Sequence, residues 1–288
     1  MKNLLYNILI LVSLALMVVG IQSCSDELPD VGDVEVSFSA TIPVSTMRSF
    51  GTAEKINTLV VGVFRKSVSD EHTDNVNYNE IYRKSFPIDG CSVNVQLTLP
   101  QNQTYSFVFW AYDCNLNAYN IDDMTAIKME FGKEVNGIYP SVSIQQMESM
   151  DAFYATIEDF AIAGNRNYSV ELVRPLAQVN VGTAGTPMRA SFTAKLAPNT
   201  FHPFTNTVSG STNLNWTFSE TTAETFWADN KQYNYLAMCY LFAPVTSTTI
   251  ATELSLTNGV NSKTVEFPQV EIGAIQRSNI AGSFTDME

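Results

Sequence analysis

Apolar residues on every second position dominate the sequence from about residue 33 onwards. In the run 34–42 they alternate with polar residues, which predicts a strand with one apolar and one polar face. The apolar members of this run are Val34, Val36, Phe38, Ala40 and Ile42. Many similar short runs follow, with Gly, Asn and Pro between them. The pattern predicts an all-β chain built as antiparallel β-sandwiches, because each such strand must bury one face against a second sheet.

The remaining strand candidates are spread over the whole chain. The run 105–112 is apolar on both faces, which predicts a central strand covered on both sides. Helix is scarce, although the segment 120–130 is compatible with a short helical turn. The further predicted strands are 56–64, 79–86, 92–99, 104–112, 153–162, 168–173, 176–182, 190–196, 213–218, 233–243, 250–257 and 263–275.

The length of 288 residues allows about two domains at roughly 100 to 150 residues each. Arg174-Pro175 is the best boundary, because proline interrupts a strand ladder and the residues on either side both read as strand. We therefore expect one sandwich at 34–174 and a second at 175–288. No internal sequence repeat is visible.

The N-terminus has the pattern of a secretory signal peptide. Lys2 opens a charged region and an apolar run follows from Leu4 to Ile21, too marginal in length to favour a stable membrane span. Residues 21–24 resemble a lipoprotein signal, in which the thiol of Cys24 takes a diacylglycerol, although Gln22 stands where a smaller residue is usual. The alternative is an ordinary signal peptide, 1–23, with an incidental free cysteine.

A short acidic linker, 24–33, would follow the signal peptide. Its Ser25-Asp26-Glu27 resembles the export signal that sends Bacteroidetes lipoproteins to the outer face of the outer membrane. The alternative reading is a solvated acidic linker. With the lipid on Cys24, the first reading predicts a surface-exposed protein held on the cell outer membrane by its lipid anchor.

Charge and motif content exclude several classes of function. A formal net charge of −13 repels nucleic-acid phosphate and disfavours anionic membrane surfaces. Four cysteines without a C-x-x-C pair, and only two histidines, give no zinc-site spacing, and no nucleophile motif or phosphate-binding loop occurs. We expect no enzyme activity, cofactor or metal. His202 is then a loop residue packed among aromatics, and Asp122-Asp123 a solvated turn.

The cysteines allow one geometric expectation. If 92–99 and 104–112 pair as an antiparallel hairpin, Cys91 lies opposite either Tyr112 or Cys114, depending on the turn's register. Direct opposition puts the two cysteines within disulfide range, whereas the slipped register does not. A Cys91–Cys114 disulfide is therefore one of two outcomes that an oxidising compartment permits. Cys239, in an apolar run, is expected to be a buried free thiol.

Six segments along the chain occur in an order that is specific when they are taken together: 56–64, 151–155, 171–183, 208–210, 235–244 and 277–282. In this order they resemble the fimbrillin-like surface lipoproteins of Bacteroidales that build type V pili. The resemblance covers most of the mature chain. The resemblance implies two tandem transthyretin-like β-sandwiches, secretion as a lipoprotein, and assembly with other fimbrial subunits by strand exchange.

The residues themselves indicate how such assembly would work. If 34–42 is an edge strand and is cut away, it leaves an apolar groove flanked by unpaired backbone groups, which is a template for another chain's strand. In the family that the sequence resembles, an arginine-specific protease cuts in the corresponding loop. This implies cleavage after Arg48, which would leave Ser49 as the new N-terminus. The alternative is an ordinary arginine in a surface loop.

Stalk subunits of that family carry an extended C-terminal donor strand, whereas only six residues, 283–288, follow Gly282. We therefore expect an accessory, tip or anchor subunit, with host or bacterial surface ligands as further partners. The competing hypothesis is a monomeric carbohydrate- or ligand-binding lipoprotein whose loops present aromatics. Its candidate contacts are Trp216, Trp227 and Tyr119.

Overall fold

The structure, a computed structural model, describes residues 32–43, 53–70, 73–219 and 224–284. Almost every predicted run is a strand, which confirms the all-β class. The strands of the first half are β1 (Asp33–Thr41), β2 (Thr58–Asp70), β3 (Thr73–Pro87), β4 (Ser92–Pro100), β5 (Thr104–Tyr112), β6 (Tyr119–Asn120), β7 (Ile127–Met129), β8 (Ser141–Val142), β9 (Ala152–Ala161) and β10 (Arg166–Glu171).

The strands of the second half are β11 (Leu176–Thr183), β12 (Arg189–Ala197), β13 (Thr200–His202), β14 (Thr207–Ser209), β15 (Thr212–Phe218), β16 (Thr225–Ala228), β17 (Lys231–Phe242), β18 (Thr248–Thr257), β19 (Ser262–Ile272) and β20 (Arg277–Gly282). The prediction of a short helical turn within 120–130 is wrong, since that segment forms turns and β7. The short helix α1 is instead Ile144–Met147, capped by reciprocal hydrogen bonds between Ser143 and Gln146, with a 3₁₀ turn at Glu148–Met150.

Each half contains two facing sheets. In the first half these are β10-β1-β4 and β3-β2-β5-β9, and in the second β16-β17-β11-β20 and β19-β18-β12-β15-β8. A small fifth sheet, β14-β13-β7-β6, takes two strands from each half. Most pairs are antiparallel, but β1–β10, β11–β20 and β8–β15 are parallel. Parallel pairing brings the first strand of each half beside its last, which period-two alternation does not reveal.

The two halves repeat one seven-strand arrangement, although their sequences show no repeat. In each, the first strand lies between the last strand and a strand from the middle of that half's sequence: β1 between β10 and β4, β11 between β20 and β17. The facing sheets also correspond, since β3-β2-β5-β9 matches β15-β12-β18-β19 in order. Two further strands lie at the edges of the second sandwich: β16, and β8, which comes from the first half of the chain. Chain order and pairing therefore repeat where residue identity does not.

The described residues form two hydrophobic core clusters, and the larger one spans both halves. One cluster fills the first sandwich, and a larger one fills the second and reaches the other face of the β2–β5 sheet. Trp110 on β5 belongs to the larger cluster and lies 6.2 Å from the Phe201 ring and 6.3 Å from the Phe242 ring. Strand β5 is buried on both faces, which confirms the predicted central strand. The described residues from Val34 onwards belong to one compact unit.

Candidate functional site

Strand β1 and the groove it fills form the candidate interaction site. The condition that 34–42 is an edge strand is not met, because β1 has a hydrogen-bonded neighbour on each side. The sequence pattern could not distinguish these cases: edge and interior strands of a sheet with one solvated face show the same alternation. Removing β1 would therefore open a slot between two strands rather than shorten a sheet by one edge.

Backbone bonding holds β1 along both sides. It pairs in parallel with β10, from Val36 opposite Arg166 to Thr41 opposite Glu171. At the end of β1, Leu172 donates its N–H to the Thr41 carbonyl at 2.9 Å, and Ile42 donates to the Cys91 carbonyl at 2.8 Å. Without β1, donors and acceptors of β10 and β4 would lose these partners.

The inward face of β1 is fully apolar. Val36, Phe38, Ala40 and Ile42 are each at most 3% exposed. Phe38 is the largest of them and lies within an aromatic cage. The centroid of its ring is 5.1 Å from that of Phe107, 5.3 Å from Phe109, 5.9 Å from Phe160 and 5.8 Å from Tyr168. We call these four rings the Phe38 cage.

The outward face of β1 is polar and open. Ser37 and Ser39 line a shallow depression of 270 Å³ together with Asn94, Gln96 and Asn167. The residue Ser39 itself is exposed. The strand is thus accessible from its outer face while its inner face completes the core of the first sandwich.

The N-terminal processing positions lie outside the residues that the structure describes. This applies to Cys24 and to Arg48 and Ser49. The described chain leaves β1 through Ile42 and Pro43 and resumes at Ala53. A cut at Arg48 would fall between β1 and β2, and would separate β1 covalently from every other strand.

The Cys91–Cys114 disulfide is not formed: both cysteines are free and exposed. The hairpin on which it was based is absent, because β4 and β5 belong to opposite sheets and the turn 101–103 connects them across the sandwich. Cys239 is buried and free, as expected. Burial raises the pKa of its thiol, which keeps it protonated and unreactive.

The three aromatics proposed as ligand contacts do not form one surface. Trp216 is fully buried and Tyr119 is 7% exposed, so both belong to the core. Trp227 on the edge strand β16 is 63% exposed, and its carbonyl accepts a hydrogen bond from Arg277 at 3.3 Å. Of the three, Trp227 alone is available to a ligand.

The polar residues for which the sequence predicts no catalytic or metal-binding role, His202, Asp122 and Asp123, are a strand-end residue and two turn residues. Nε2 of His202 lies 2.7 Å from the Ser209 hydroxyl, at the end of β13 rather than in a loop. Asp122 and Asp123 are exposed in a turn, as expected, and Asp123 accepts two hydrogen bonds from Thr125. Among the described residues no group of His, Cys, Asp and Glu is arranged to hold a metal ion. Nor does any helix there have the length and apolarity of a membrane span.

The structure contains a buried ion pair that the sequence analysis did not predict. Arg174 donates from Nε and Nη2 to the two carboxylate oxygens of Asp151, both at 2.6 Å. Asp151 is fully buried and Arg174 is 6% exposed. Nearby, Tyr240 donates to Glu148 at 3.0 Å, and burial raises the pKa of Glu148. The only signal was an arginine within an otherwise apolar stretch before Pro175.

Several solved structures from Bacteroides, Parabacteroides and Porphyromonas, described as putative adhesins or as fimbrial proteins, are similar to this chain at low sequence identity. A fimbrial assembly protein from Parabacteroides distasonis is 15% identical, with a TM-score of 0.43 over 88% of this chain and 93% of that one. The fimbrial anchor protein Mfa2 from Porphyromonas gingivalis is 10% identical, with a TM-score of 0.45 over 80% and 82%. The tip fimbrial protein Mfa3 from the same organism is 11% identical, with a TM-score of 0.37 over 82% and 81%.

No curated protein matches the sequence. A family model does, and it spans residues 29–285, which include β1, the groove strands and every sheet of both halves. The chain therefore belongs to the family described as a family of unknown function, DUF6562.

Proposed function

We propose that this chain is an accessory, tip or anchor subunit of a surface fimbrium, assembling by β-strand exchange and contributing to adhesion. The subunit would be secreted with signal peptide 1–23 and anchored in the outer membrane by lipid on Cys24. Beyond linker 24–33 it would consist of the two sandwiches 34–174 and 175–288. It would work as a binding partner of other subunits, without catalysis.

The observation that carries the proposal is the position of β1. It is the first strand of the described fold, it lies between two strands, and its four inward side chains fill the first core. Removal would expose this apolar slot together with the unpaired backbone groups of β10 and β4. Such a slot favours the binding of an extended segment, because main-chain hydrogen bonds give affinity and the alternate pockets give specificity.

Arg48 is the residue at which we propose that β1 is released. Surface material sheared from cells is expected to contain the protein in a high-mass ladder, with Ser49 at its N-terminus. The Arg48→Ala variant should keep its original N-terminus and should be absent from the high-mass ladder. The matched variant Arg189→Ala, at the exposed start of β12, should behave as the parent does. A ladder of unchanged mass in Arg48→Ala would refute release at this position.

Lipid anchoring is tested separately. Several acyl chains, each contributing about 0.8 kcal/mol per buried CH₂, would hold the chain on the membrane without a spanning helix. A cut after Arg48 would itself separate Cys24 and its lipid from the rest of the chain, so the anchor is tested on the uncut chain. In the Arg48→Ala variant, a further Cys24→Ala change should therefore move the protein from the outer-membrane fraction to the soluble one. Retention of the double variant in the membrane fraction would count against the anchor.

The second candidate is a monomeric surface lipoprotein that binds a carbohydrate or another ligand. Exposed Trp227 favours it, because aromatic rings on a surface are typical contacts for the apolar faces of sugars. A protein that stays monomeric after shearing, keeps Cys24 as its N-terminus and loses glycan binding in Trp227→Ala would favour this candidate over the fimbrial one.

A further inference from the structure

The Phe38 cage is the most specific part of the groove. The rings of Phe107 and Phe109 come from β5, Phe160 from β9 and Tyr168 from β10. Three strands from both sheets of the sandwich thus converge on one side chain. Their rings contact one another too, for example Phe160 and Tyr168 at 4.5 Å. In a core packed this closely, a change of even one methylene in the enclosed side chain is felt.

The inward positions next to Phe38 require side chains of other sizes. Two residues before Phe38 the buried side chain is the aliphatic Val36, and two residues after it Ala40, which is 1% exposed, has only a methyl group. Ile42 ends the row with another aliphatic side chain. In a close-packed core a larger side chain at the Ala40 position would overpack, and a smaller one at Phe38 would leave a cavity.

We propose that the Phe38 cage selects the strand that replaces β1, so that the groove accepts an extended segment of another protein with the pattern aliphatic-x-aromatic-x-Ala-x-aliphatic. This inference rests on the proposed function, since it names the partner of the same groove. It goes beyond that function because it assigns selection of the incoming strand to two of its positions, the aromatic one at Phe38 and the small one at Ala40.

The described part of this chain offers no free segment with that pattern. The segment 190–196 on β12 comes closest, with Phe192 and Ala194 in the places of Phe38 and Ala40. However, β12 is paired on both sides, by β15 and β18. Aligning Phe284, after β20, with Phe38 puts the acidic Asp286 at the buried Ala40 position. Burying an unpaired carboxylate there is unfavourable, so a second copy of this chain is a poor donor.

The test is strand exchange on the whole mature chain. A variant carries a site-specific protease sequence within 44–52, is cut, and is then incubated with fluorescent peptides corresponding to residues 33–43. The parent peptide should be taken up into the groove. Its Phe38→Ala form should bind about 100-fold more weakly. The Ala40→Leu form should also bind more weakly, whereas Ser39→Ala, on the open face, should match the parent.

The outcomes separate this inference from the proposed function. If the cut protein takes up no peptide, the parent included, strand exchange itself fails. If the parent and Phe38→Ala peptides exchange equally well, the groove is exchangeable but the cage does not select. A peptide of residues 277–288 should not displace β1, and its uptake would show that a second copy can donate.

Discussion

At the scale of single residues, the ion pair between Asp151 and Arg174 illustrates how burial decides the effect of a charge. Both side chains are almost fully removed from water, and the Arg174 guanidinium also stacks 4.6 Å from the centroid of the Phe153 ring. A buried pair contributes little net stability compared with apolar residues, but either partner alone is costly. The pair therefore matters mainly when it is broken.

Arg174→Met should lower the free energy of unfolding by about 3 to 5 kcal/mol, because it leaves the Asp151 carboxylate buried without its cation. Urea unfolding at neutral pH measures this. The double variant Asp151→Leu/Arg174→Met should recover most of the loss. Lys195→Met, which breaks exposed contacts with Glu253 and Glu266, should change little. A single variant as stable as the parent would contradict the interpretation.

Glu148 should make the stability of the fold depend on pH. Burial raises its pKa above the ordinary 4.5, partly opposed by the hydrogen bond from Tyr240. A carboxyl with a raised pKa stabilises the fold while protonated, and this contribution is lost as the pH rises through the folded-state pKa. We therefore expect Glu148→Gln to gain stability relative to the parent as the pH rises from about 4 to about 7. Thermal unfolding of the variant and the parent across that pH range measures this gain. A constant difference between their melting temperatures at all pH values would contradict the prediction.

At the scale of elements, the connection between β4 and β5 shows how the same local sequence serves two topologies. Two strands joined by a short turn can form a hairpin, or they can enter facing sheets. Here they enter facing sheets, which puts β4 beside β1 and β5 beside β2. The consequence is that β1 gains its second neighbour, and that Cys91 and Cys114 do not face each other across a ladder.

Thiol labelling tests this connection. Iodoacetamide without reductant should label the exposed Cys91 and Cys114 in the folded protein, while the buried Cys239 should react only after denaturation. Peptide mass analysis distinguishes the three sites. If Cys91 and Cys114 react only after reduction, they are bonded and the arrangement of β4 and β5 needs revision. Rapid labelling of Cys239 in the folded protein would contradict its burial.

At the scale of the whole molecule, the two sandwiches share one apolar contact but end in polar faces. The outer face of the β1 sheet carries serine and amide side chains, and that of the β12 sheet carries mainly hydroxyls around Ser191, Thr217, Ser255 and Thr264. Polar end faces do not favour further stacking of sandwiches, as with the capping units of repeat proteins. Stacking of these end faces is therefore a poor route to a polymer, whereas the proposed strand exchange does not depend on them.

The shared contact should make the halves unfold together. Phe201→Ala, in the contact between Trp110, Tyr154 and Phe242, should cost about 3 to 5 kcal/mol. It should also shift a single transition seen by circular dichroism and by the fluorescence of Trp110 and Trp216. Trp227→Phe, at an exposed site, removes surface emission and should leave stability nearly unchanged. Two separate transitions in the parent would show that the halves are independent.

Local alternation was sufficient to predict the strands themselves and which of their faces are buried. Val36, Phe38 and Ala40 point inwards as the period of two requires, and the doubly apolar β5 is covered on both sides. The same local signal placed Cys239 in the core. These features follow from the sequence because burial of a side chain depends on its own polarity and on that of its near neighbours along the strand.

Tertiary structure alone decided which strands pair. The two neighbours of β1, the separation of β4 from β5 and the repeat of seven strands in both halves all depend on backbone hydrogen bonds between distant segments. Every residue except proline offers the same backbone donor and acceptor, so pairing leaves little residue-specific trace in one sequence. The burial of Trp216, and the meeting of Asp151 with Arg174, likewise required distant segments to come together.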